Sequence, residues 1–349
     1  MLRSLIVGFG RAGRDLHLRC LRKTRAEHPH LISPEIGVVA EGEPYLNDLC
    51  VGGIRPFGSL VEARQVFGED SVVHICTPPA THFDVLREAA ELGYRRLIVE
   101  KPLACTMDEV SQIRALRARY KLQIMVVATW LSSSLTARLK AMLAAPPTGA
   151  WTKMSIQQLK PRFSQTLNNR SHTSALEVEI PHQVALSLYL TGTNVEVTAA
   201  SCSDMRVNGT TVPLMGSASI VLQHVDGQSS LLHSDLTAPV RERSVEIIFA
   251  DGRRVVGYYP SEAKDSFSQL HVYDGENALV SRDVFFDDPL SAFLAETYSY
   301  FECGAGDPPP SNLDFHEAVM SVLWEAKRQS GLVSATPAAP SAERDHVLS

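Results

Sequence analysis

A glycine-rich turn placed directly after the first apolar run constrains the fold of this chain more than any other feature. The run at residues 5–7 leads into the segment Gly8-Phe9-Gly10-Arg11-Ala12-Gly13, after which a helix-like stretch begins. Gly8 permits the tight turn, Gly10 lets backbone N–H groups approach a pyrophosphate, and Gly13 lets the helix and the strand pack closely. The start of the helix adds partial positive charge, which favours phosphate groups. The spacing predicts a dinucleotide-binding unit in which residues 8–13 contact the cofactor.

Short apolar runs alternate with helix-like segments throughout residues 1–127. Runs rich in β-branched residues occupy 5–7, 36–40, 72–76, 97–99 and 124–127. Segments with a helical pattern, such as 83–92 and 107–120, lie between them. Near-continuous apolar strands are typical of a parallel sheet that helices cover on both faces. We therefore predict an α/β domain with a Rossmann-type parallel sheet over residues 1–127.

Hairpin signals distinguish the second half of the chain. Beyond residue 192, Asp-Gly pairs at 226–227, 251–252 and 274–275 each separate two β-rich runs. Such pairs are the strongest short-range signal for a tight hairpin turn. We predict an α+β domain with a largely antiparallel, open sheet over residues 128–333. A last helix at about 313–329 could pack back on the first domain, and the tail 334–349, rich in Ala, Pro and Ser, is expected to be disordered.

Charge and cysteine usage exclude several classes of protein. The 349 residues include 33 basic and 39 acidic side chains, a net charge of −6, which argues against a nucleic-acid partner. The six cysteines are scattered without a Cys/His cluster at metal-ligand spacing, so we expect reduced thiols and no metal site. No apolar run approaches the ~18 residues of a membrane helix, and the first residues do not form a signal peptide. We expect a cytoplasmic protein that contacts neither membrane nor nucleic acid.

An acidic residue after the second predicted strand bears on the choice of cofactor. Glu41 follows the run at 36–40, where a carboxylate can bind the hydroxyls of the adenosine ribose. Its distance from the glycines exceeds the usual ~20 residues, and a polar insert at 24–34 accounts for the difference. Because glycine and not arginine stands at position 42, a 2′-phosphate has no obvious partner. The pattern favours NAD, with NADP possible; the alternative is that Glu41 is only a solvated loop acid.

Two further motifs, each at the end of a predicted strand, are more specific. The first reads Cys76-Thr77-Pro78-Pro79-Ala80-Thr81-His82 and begins a helix. The second reads Val99-Glu100-Lys101-Pro102-Leu103-Ala104. Together with the glycine turn, these motifs resemble the Gfo/Idh/MocA family, named for glucose–fructose oxidoreductase and inositol dehydrogenase. The resemblance runs through the sheet domain to the last helix and is strongest over residues 1–127.

The resemblance implies that Lys101 carries the proton transfer. It places Lys101 at the carboxyl edge of the sheet, where ligands bind in open α/β folds. Beside an oxidised nicotinamide an ammonium group is disfavoured, so its pKa can fall towards neutrality. The amine can then take a hydroxyl proton while a hydride leaves the carbon for the ring. The alternative is an ordinary surface lysine.

The same resemblance assigns cofactor contacts to the residues around Lys101. Pro78 and Pro79 would shape the wall around the nicotinamide ribose, and Glu100 would orient nearby groups. Thr77 and His82 are weaker candidates for contact with the cofactor, because His82 could simply occupy the first turn of its helix.

The second half of the family site reads Asp-x-x-x-His at the start of a helix, and this chain departs from it. His182 aligns with the family histidine by its distance to Gly192, which suits the residue after a helix, as Pro181 suits its first position. The positive end of the helix favours the neutral imidazole. Val178 occupies the position of the family aspartate, and Ala185 that of a second acid. The site therefore lacks its usual carboxylate.

Two glutamates flank Val178 and could return a carboxylate to the site. In an extended segment, Glu177 and Glu179 share a face that Val178 does not. If the helix begins early, Glu179 lies three residues before His182 and is its neighbour. We predict that Glu179 supplies the carboxylate and fixes the tautomer of His182, with Glu177 as the alternative. Both glutamates facing solvent is the remaining alternative.

The motifs predict an oxidoreductase that moves a hydride between nicotinamide and a secondary alcohol or ketone carbon. The resemblance implies a sugar, nucleotide sugar, cyclitol or related polyol as substrate, and by analogy a homodimer or homotetramer. Lys101, His182 and Glu179 would move the proton and orient the hydroxyl, while the cofactor carries the hydride. One alternative, favoured by Val178, is a non-catalytic dinucleotide-binding sensor. Another is an imine reductase, or a lyase or hydrolase that uses bound NAD transiently.

Overall fold

Two sheets organise the chain. The computed structural model describes residues 1–40, 53–144, 150–168, 172–262, 265–304 and 306–333. Within them, one sheet has six strands and comes from the first half of the chain, and the other has eight. The predicted ribose contact Glu41 and the predicted disordered tail 334–349 lie outside the described residues.

The first sheet is parallel throughout and has the strand order β3-β2-β1-β4-β5-β6. Its strands are β1 (Leu2–Val7), β2 (Ile32–Val39), β3 (Ile54–Phe57), β4 (Val72–Ile75), β5 (Arg96–Val99) and β6 (Gln123–Val126). The helices that connect them are α1 (Arg19–Glu27), α2 (Leu60–Phe67), α3 (His82–Glu91) and α4 (Met107–Tyr120). Side chains such as Leu5, Val73 and Leu97 are fully buried, as expected for strands covered on both faces. The predicted Rossmann-type sheet is confirmed.

The strand order reverses beside β1, because the chain crosses from β3 to the other side of β1 to form β4. Ligands of open α/β sheets bind outside the carboxyl ends of the strands at such a switch point. Strands β1, β4 and β5 end at Val7, Ile75 and Val99. The glycine turn and the two motifs that follow strands therefore meet at one edge of the sheet.

The second sheet has the order β16-β15-β14-β13-β7-β12-β11-β8 and is antiparallel except for the β7–β12 pair. Its strands are β7 (Trp151–Leu159), β8 (Val195–Cys202), β11 (Ser217–His224), β12 (Ser229–Asp235), β13 (Glu242–Phe249), β14 (Arg254–Tyr258), β15 (Phe267–Tyr273) and β16 (Leu279–Phe286). A separate ribbon pairs β9 (Met205–Val207) with β10 (Thr210–Val212). The three Asp-Gly pairs lie in the turns of the β11–β12, β13–β14 and β15–β16 hairpins. The predicted, largely antiparallel sheet is confirmed.

Helix α7 (Ile180–Thr191) forms the centre of the core beneath the second sheet. It packs against β12 and β7 and against α5 (Ser134–Ala144), while the short α6 (Phe163–Leu167) follows β7. Side chains around most of its circumference are buried, among them Val184 and Leu188. A helix that is apolar on nearly every side must be enclosed by other elements. Its first turn, which carries His182, is therefore held by a packed core.

The last two helices return to the first sheet. Helix α8 (Pro289–Cys303) packs against α1, and its side chains Phe293 and Tyr298 are fully buried in the core of that layer. Helix α9 (Leu313–Gln329) packs against α4 and α7, and the preceding Asn312 forms a β-bridge to strand β6. Among the described residues, no helix is long and apolar enough to cross a membrane.

Candidate active site

The glycine turn is closely packed on one side and open on the other. Gly8 has a φ of +89°, and a Cβ there would lie 3.0 Å from the carbonyl carbon and oxygen of Cys76. A Cβ at Gly13 would lie 2.2 Å from the carbonyl oxygen of Gly8. A Cβ at Gly10 would meet no atom within 4 Å among the described residues. The turn thus packs against β4 and leaves free the surface at Gly10, where a pyrophosphate would bind, so it fits a dinucleotide.

The other residues of the turn differ in what they can offer a cofactor. Phe9 is buried in a hydrophobic cluster of the first domain, so its side chain is not available to a ligand. Arg11 is exposed and its Nη1 donates to Gln165 Oε1 at 2.9 Å, which links the turn to the second half of the chain. Ala12 begins a π-helical segment, Ala12–Leu18, that continues into α1. Its N-terminal end points at the open side of the turn and can attract phosphate.

The segment after β4 holds its place through His82. The ring of His82 is buried and contacts two carbonyl oxygens, that of Pro102 from Nδ1 at 3.0 Å and that of Thr77 from Nε2 at 2.9 Å. His82 thereby joins the two strand-end motifs from behind. Pro78 is exposed at this edge, and Pro79 begins a short 3-10 turn. Among the described residues, Thr77 Oγ1 is buried without a hydrogen-bond partner, a donor left for a bound group.

Lys101 follows β5 and reaches across to the second half of the chain. Its Nζ donates a hydrogen bond to the backbone carbonyl oxygen of Val178. Burial lowers the pKa of Lys101 to about 8, with a contribution from the nearby Arg162 guanidinium and opposition from the carboxylates of Glu100 and Glu177. A lysine with this pKa can gain and lose a proton near neutral pH, which suits a general acid or base.

Glu100 is held by a chain of buried hydrogen bonds that sequence reasoning did not find. Its Oε1 lies 3.0 Å from His17 Nε2, and His17 Nδ1 lies 2.8 Å from His74 Nδ1. His74 Nε2 lies 2.7 Å from the hydroxyl of Tyr298, which lies 2.6 Å from Ser4 Oγ. The chain runs from the edge of the cleft into the core, and Tyr298 on α8 completes it.

The protonation states in this chain follow from its contacts. Burial opposes a charge on His17, but the neighbouring Cys76 sulfur and the Glu100 carboxylate outweigh this and raise its pKa to about 10. Burial and the charge of His17 lower the pKa of His74 well below its usual value, so His74 is neutral. His17 therefore faces Glu100 as an imidazolium and donates to His74, which donates to Tyr298. Burial alone would raise the pKa of Glu100. The hydrogen bond and the charge of His17 lower it by more than this, so Glu100 stays ionised.

His182 lies in the first turn of α7 with its ring against an aromatic stack. Its ring centroid is 6.1 Å from that of Trp130, which stacks on Tyr259 at 4.7 Å. Burial lowers the pKa of His182 well below its usual value, and the cations Lys101, Arg243 and Lys160 lower it further. The imidazole is therefore neutral and can both donate and accept one hydrogen bond.

The two glutamates beside Val178 point in different directions. Glu179 is 6% exposed and forms an ion pair with Lys160. Glu177 turns away, with Oε1 accepting from Lys327 Nζ of α9 at 2.7 Å. We expected Glu179 to fix the tautomer of His182. Among the described residues, however, no hydrogen bond joins the carboxylate to the imidazole, and Glu179 pairs with Lys160 instead.

A cavity of about 380 Å³ lies between the two sheets and brings these groups together. Its lining includes Arg11, Glu100, Lys101, Trp130, Gln158, Glu179, His182, Arg243 and Tyr259. It extends from Arg11 of the glycine turn to Arg243 of the second sheet. The structure thus places Lys101, His182 and Glu179 around one space, and neither Glu177 nor His82 is in its lining. Among the described residues, no group of His, Cys, Asp and Glu could hold a metal ion.

Three basic residues beside the cavity were missed by sequence reasoning: Lys160, Arg162 and Arg243. Lys160 and Arg162 follow β7, and Arg243 lies in β13, which pairs antiparallel with β7 so that Arg243 opposes Gln158. The residues are about eighty positions apart in the sequence, so only the strand register brings them together. A signal was present in the basic residues at 160, 162, 241 and 243, each next to an apolar strand.

Comparison with known proteins agrees with the fold and the first motifs. Residues 2–128 match the Gfo/Idh/MocA model, described as an oxidoreductase family with an NAD-binding Rossmann fold. No curated protein is significantly similar to the chain in sequence. The resemblance that the motifs indicate, and the NAD-binding character of the first domain, are therefore confirmed.

Solved structures of oxidoreductases share the fold of nearly the whole chain. A UDP-N-acetylglucosamine 3-dehydrogenase from Acidithiobacillus ferrooxidans has a TM-score of 0.72 at 17% identity, covering 95% of this chain and 98% of that one. KijD10, a 3-ketoreductase from Actinomadura kijaniata solved with TDP-benzene and NADP, has a TM-score of 0.76 at 14% identity, covering 94% and 98%. An NAD-binding oxidoreductase from Klebsiella pneumoniae has a TM-score of 0.77 at 15% identity, covering 95% and 97%. Identities this low establish the fold and leave the substrate open.

Proposed function

Because the chain resembles the Gfo/Idh/MocA oxidoreductases in its motifs, family model and fold, we propose that it transfers a hydride between a nicotinamide cofactor and a substrate. The reacting carbon is a secondary alcohol or ketone carbon of a sugar, nucleotide sugar, cyclitol or related polyol. The observation that carries the proposal is the position of Lys101. Its amine has a pKa of about 8 and lies in the wall of the cavity onto which the glycine turn opens.

The bound cofactor supplies or accepts the hydride at C4 of its nicotinamide. The glycine turn and the π-helical segment would hold its pyrophosphate, and the free Thr77 hydroxyl and the prolines beside it would contact its nicotinamide half. Glu41 is proposed to bind the ribose hydroxyls, which favours NAD, with NADP as the alternative. These contacts orient the cofactor against the cavity that contains Lys101.

Lys101 moves the proton at the substrate hydroxyl. In the oxidation direction the neutral amine accepts the hydroxyl proton, and in the reduction direction the ammonium returns it. The Val178 carbonyl accepts a hydrogen bond from Nζ in either state and so fixes the direction of the side chain. Glu100, paired with the His17 imidazolium, lies behind Lys101 and helps to orient it.

His182 and Glu179 orient the substrate. The neutral imidazole of His182 is held by Trp130 and by the packed start of α7, and it can bond a hydroxyl beside the reacting carbon. Glu179 replaces the missing family aspartate as a carboxylate acceptor, in a different position and already paired with Lys160. The similar fold of a nucleotide-sugar dehydrogenase and a ketoreductase supports a polyol-type substrate.

The proposal is tested by a panel of polyols, sugars and nucleotide sugars with NAD and NADP, followed at the absorbance band of reduced nicotinamide. Lys101→Met should lower turnover by about 10²–10⁴-fold, the usual worth of a positioned acid or base, with cofactor affinity nearly unchanged. Lys153→Met, at an exposed position on β7, is the matched control and should keep full turnover. Near-native turnover in Lys101→Met would refute the role of Lys101.

If the wild-type protein shows no net oxidation or reduction of the polyol panel, the pattern of results distinguishes the alternative functions. Cofactor binding without turnover of any member of the panel would favour a non-catalytic sensor. Substrate conversion without net change in the nicotinamide band would favour a lyase or hydrolase that uses NAD transiently. Turnover of imines alone would favour an imine reductase.

We also propose that the chain forms a homodimer or homotetramer through the open face of the second sheet. Apolar side chains are exposed along its edge, with Phe267 at 52%, Val284 at 51% and Phe286 at 58% exposure. Contiguous exposed apolar side chains mark interaction surfaces. Analytical ultracentrifugation should show an oligomer that Val284→Asp dissociates, and a monomeric wild type would refute the proposal.

A further inference from the structure

Four basic residues cluster at the side of the cavity that the second sheet forms, two in its lining and two beside it. Lys101, Lys160, Arg162 and Arg243 converge there, near enough that Lys101, Arg162 and Arg243 each lower the pKa of Lys160. Among the described residues, the carboxylate within 4.0 Å of any of these cations is Glu179, which pairs with Lys160. Lys101 also lies near the carboxylates of Glu100 and Glu177. Arg162 and Arg243 are therefore the two cations that no described carboxylate pairs.

The backbone fixes the positions of these cations before any ligand binds. The chain continues in register past the end of β7, with Lys160 N donating to Asp235 O at 3.0 Å and Arg162 N donating to Leu236 O at 2.9 Å. Arg243 lies on the neighbouring strand β13, opposite Gln158. Basic groups on paired strands are held more precisely than groups on loops, which is the property of a prebuilt recognition site.

The guanidinium of Arg243 keeps hydrogen-bond donors free. Its Nη1 donates to the Pro260 carbonyl oxygen at 2.8 Å, while its Nε is buried and, among the described residues, has no partner. A guanidinium carries five N–H donors in a planar fork that matches the oxygens of a carboxylate or a phosphate. Arg162 makes one long contact, from Nη1 to Thr166 Oγ1 at 3.5 Å, and so also retains donors.

Burial and mutual repulsion both disfavour the charged forms of these groups. Burial and the surrounding cations lower the pKa of Lys160 to about 6, and burial lowers the pKa of Arg243 to about 10. Such a cluster is costly to hold together unless an anion neutralises it. The cofactor is a poor candidate for that anion, because its pyrophosphate belongs at the glycine turn on the first sheet.

We propose that the substrate carries an anionic group, a carboxylate or a phosphate, which binds to Arg243, Arg162 and Lys160 while its hydroxyl faces Lys101. The inference rests on the proposed function, which it narrows from polyols in general to anionic polyols. The three basic groups hold the anion on the side of the second sheet, and His182 and Lys101 line the same cavity. The anion thereby sets the orientation in which the reacting carbon is presented.

The test compares three sugars that share a ring: D-glucose, D-glucuronate and D-glucose 6-phosphate. Their affinities are measured by calorimetry on the full chain, with and without NADH. At least one charged sugar should bind about tenfold or more tightly than glucose, the value of hydrogen bonds to a charged group. Tighter binding of glucuronate identifies a carboxylate, and tighter binding of glucose 6-phosphate a phosphate.

Arg243→Gln should weaken binding of the charged sugar by about 10- to 100-fold. The affinity for glucose should stay within about twofold of the wild-type value. Arg162→Gln is the second variant, in case the first does not fold. Lys153→Gln removes the same charge from an exposed position of β7 and should change nothing.

The proposal is overturned if neither charged sugar binds, if glucose binds as tightly as both, or if Arg243→Gln and Arg162→Gln leave the charged sugars unaffected. These results are separate from the fate of the proposed function. Turnover of neutral polyols with no preference for charge would leave the oxidoreductase in place and remove the anion site. Selective binding of the anion without any redox chemistry would support the anion site and contradict the proposed oxidoreductase activity.

Discussion

Two glycines of the same turn are predicted to respond to an added side chain in opposite ways. Gly13 packs against the turn itself, whereas Gly10 faces open space. Gly13→Ala should therefore damage folding, and Gly10→Val should damage only cofactor binding. Gly10→Ala is the control for the loss of glycine at the open position.

The expected magnitudes follow from the distances. A Cβ at position 13 would lie 2.2 Å from the carbonyl oxygen of Gly8, so backbone must move by about 1 Å to restore a normal contact. Overpacking of this kind costs about 1–3 kcal/mol, and we expect the upper end because no flexible side chain can give way. At position 10 no described atom lies within 4 Å, so Gly10→Ala should change the unfolding free energy by about 1 kcal/mol or less.

Urea unfolding and NADH titration separate the two effects. Gly10→Val should fold normally but bind NADH at least about 100-fold more weakly, since its methyl groups occupy the space of the pyrophosphate. Gly13→Ala should lower the urea midpoint without a change of slope. Unchanged NADH affinity in Gly10→Val would show that the turn does not hold the cofactor. Equal stability of both alanine variants would contradict the packing argument.

Three further predictions concern the residues around the cavity. Burial lowers the pKa of Lys101 to about 8, so kcat/KM for alcohol oxidation should rise with pH through about 8 and then level off; a flat profile would contradict its role as the base. Tyr298→Phe removes a buried partner of His74 and should cost about 1–3 kcal/mol in urea unfolding, and no loss would show that the buried chain is not stabilising. Glu179→Gln should lower turnover and alter the pH profile, whereas Glu177→Gln should keep turnover and lower stability through its lost pair with Lys327; the reverse pattern would identify Glu177 as the catalytic carboxylate.

Much of the fold could be predicted because its signals are local. Apolar runs of strand length, Asp-Gly turns and the glycine turn each act over a few residues, and both sheets follow from them. The order of the strands in the second sheet could not be predicted. The parallel pairing of β7 with β12 joins strands that are far apart in the sequence, and no local pattern records it.

The candidate site was predictable where a motif carries it and not where packing creates it. Lys101 and the glycines belong to short motifs whose spacing follows from their chemistry. The partner of Glu179 did not follow from its helix position, because Lys160 comes from the end of β7. Likewise, the hydrogen-bonded chain through His17 and His74 belongs to no sequence motif, because it depends on the packing of Tyr298 from α8.

Isotope transfer tests the central claim most directly. The best substrate of the panel is prepared with deuterium on the reacting carbon, and the reduced cofactor is analysed by mass spectrometry after incubation with NAD. We predict that the wild-type protein yields NADH carrying the deuterium, and that Lys101→Met forms the same product about 10²–10⁴-fold more slowly. Substrate conversion that leaves the cofactor unlabelled would contradict direct hydride transfer, and equal rates in the two proteins would contradict proton transfer by Lys101.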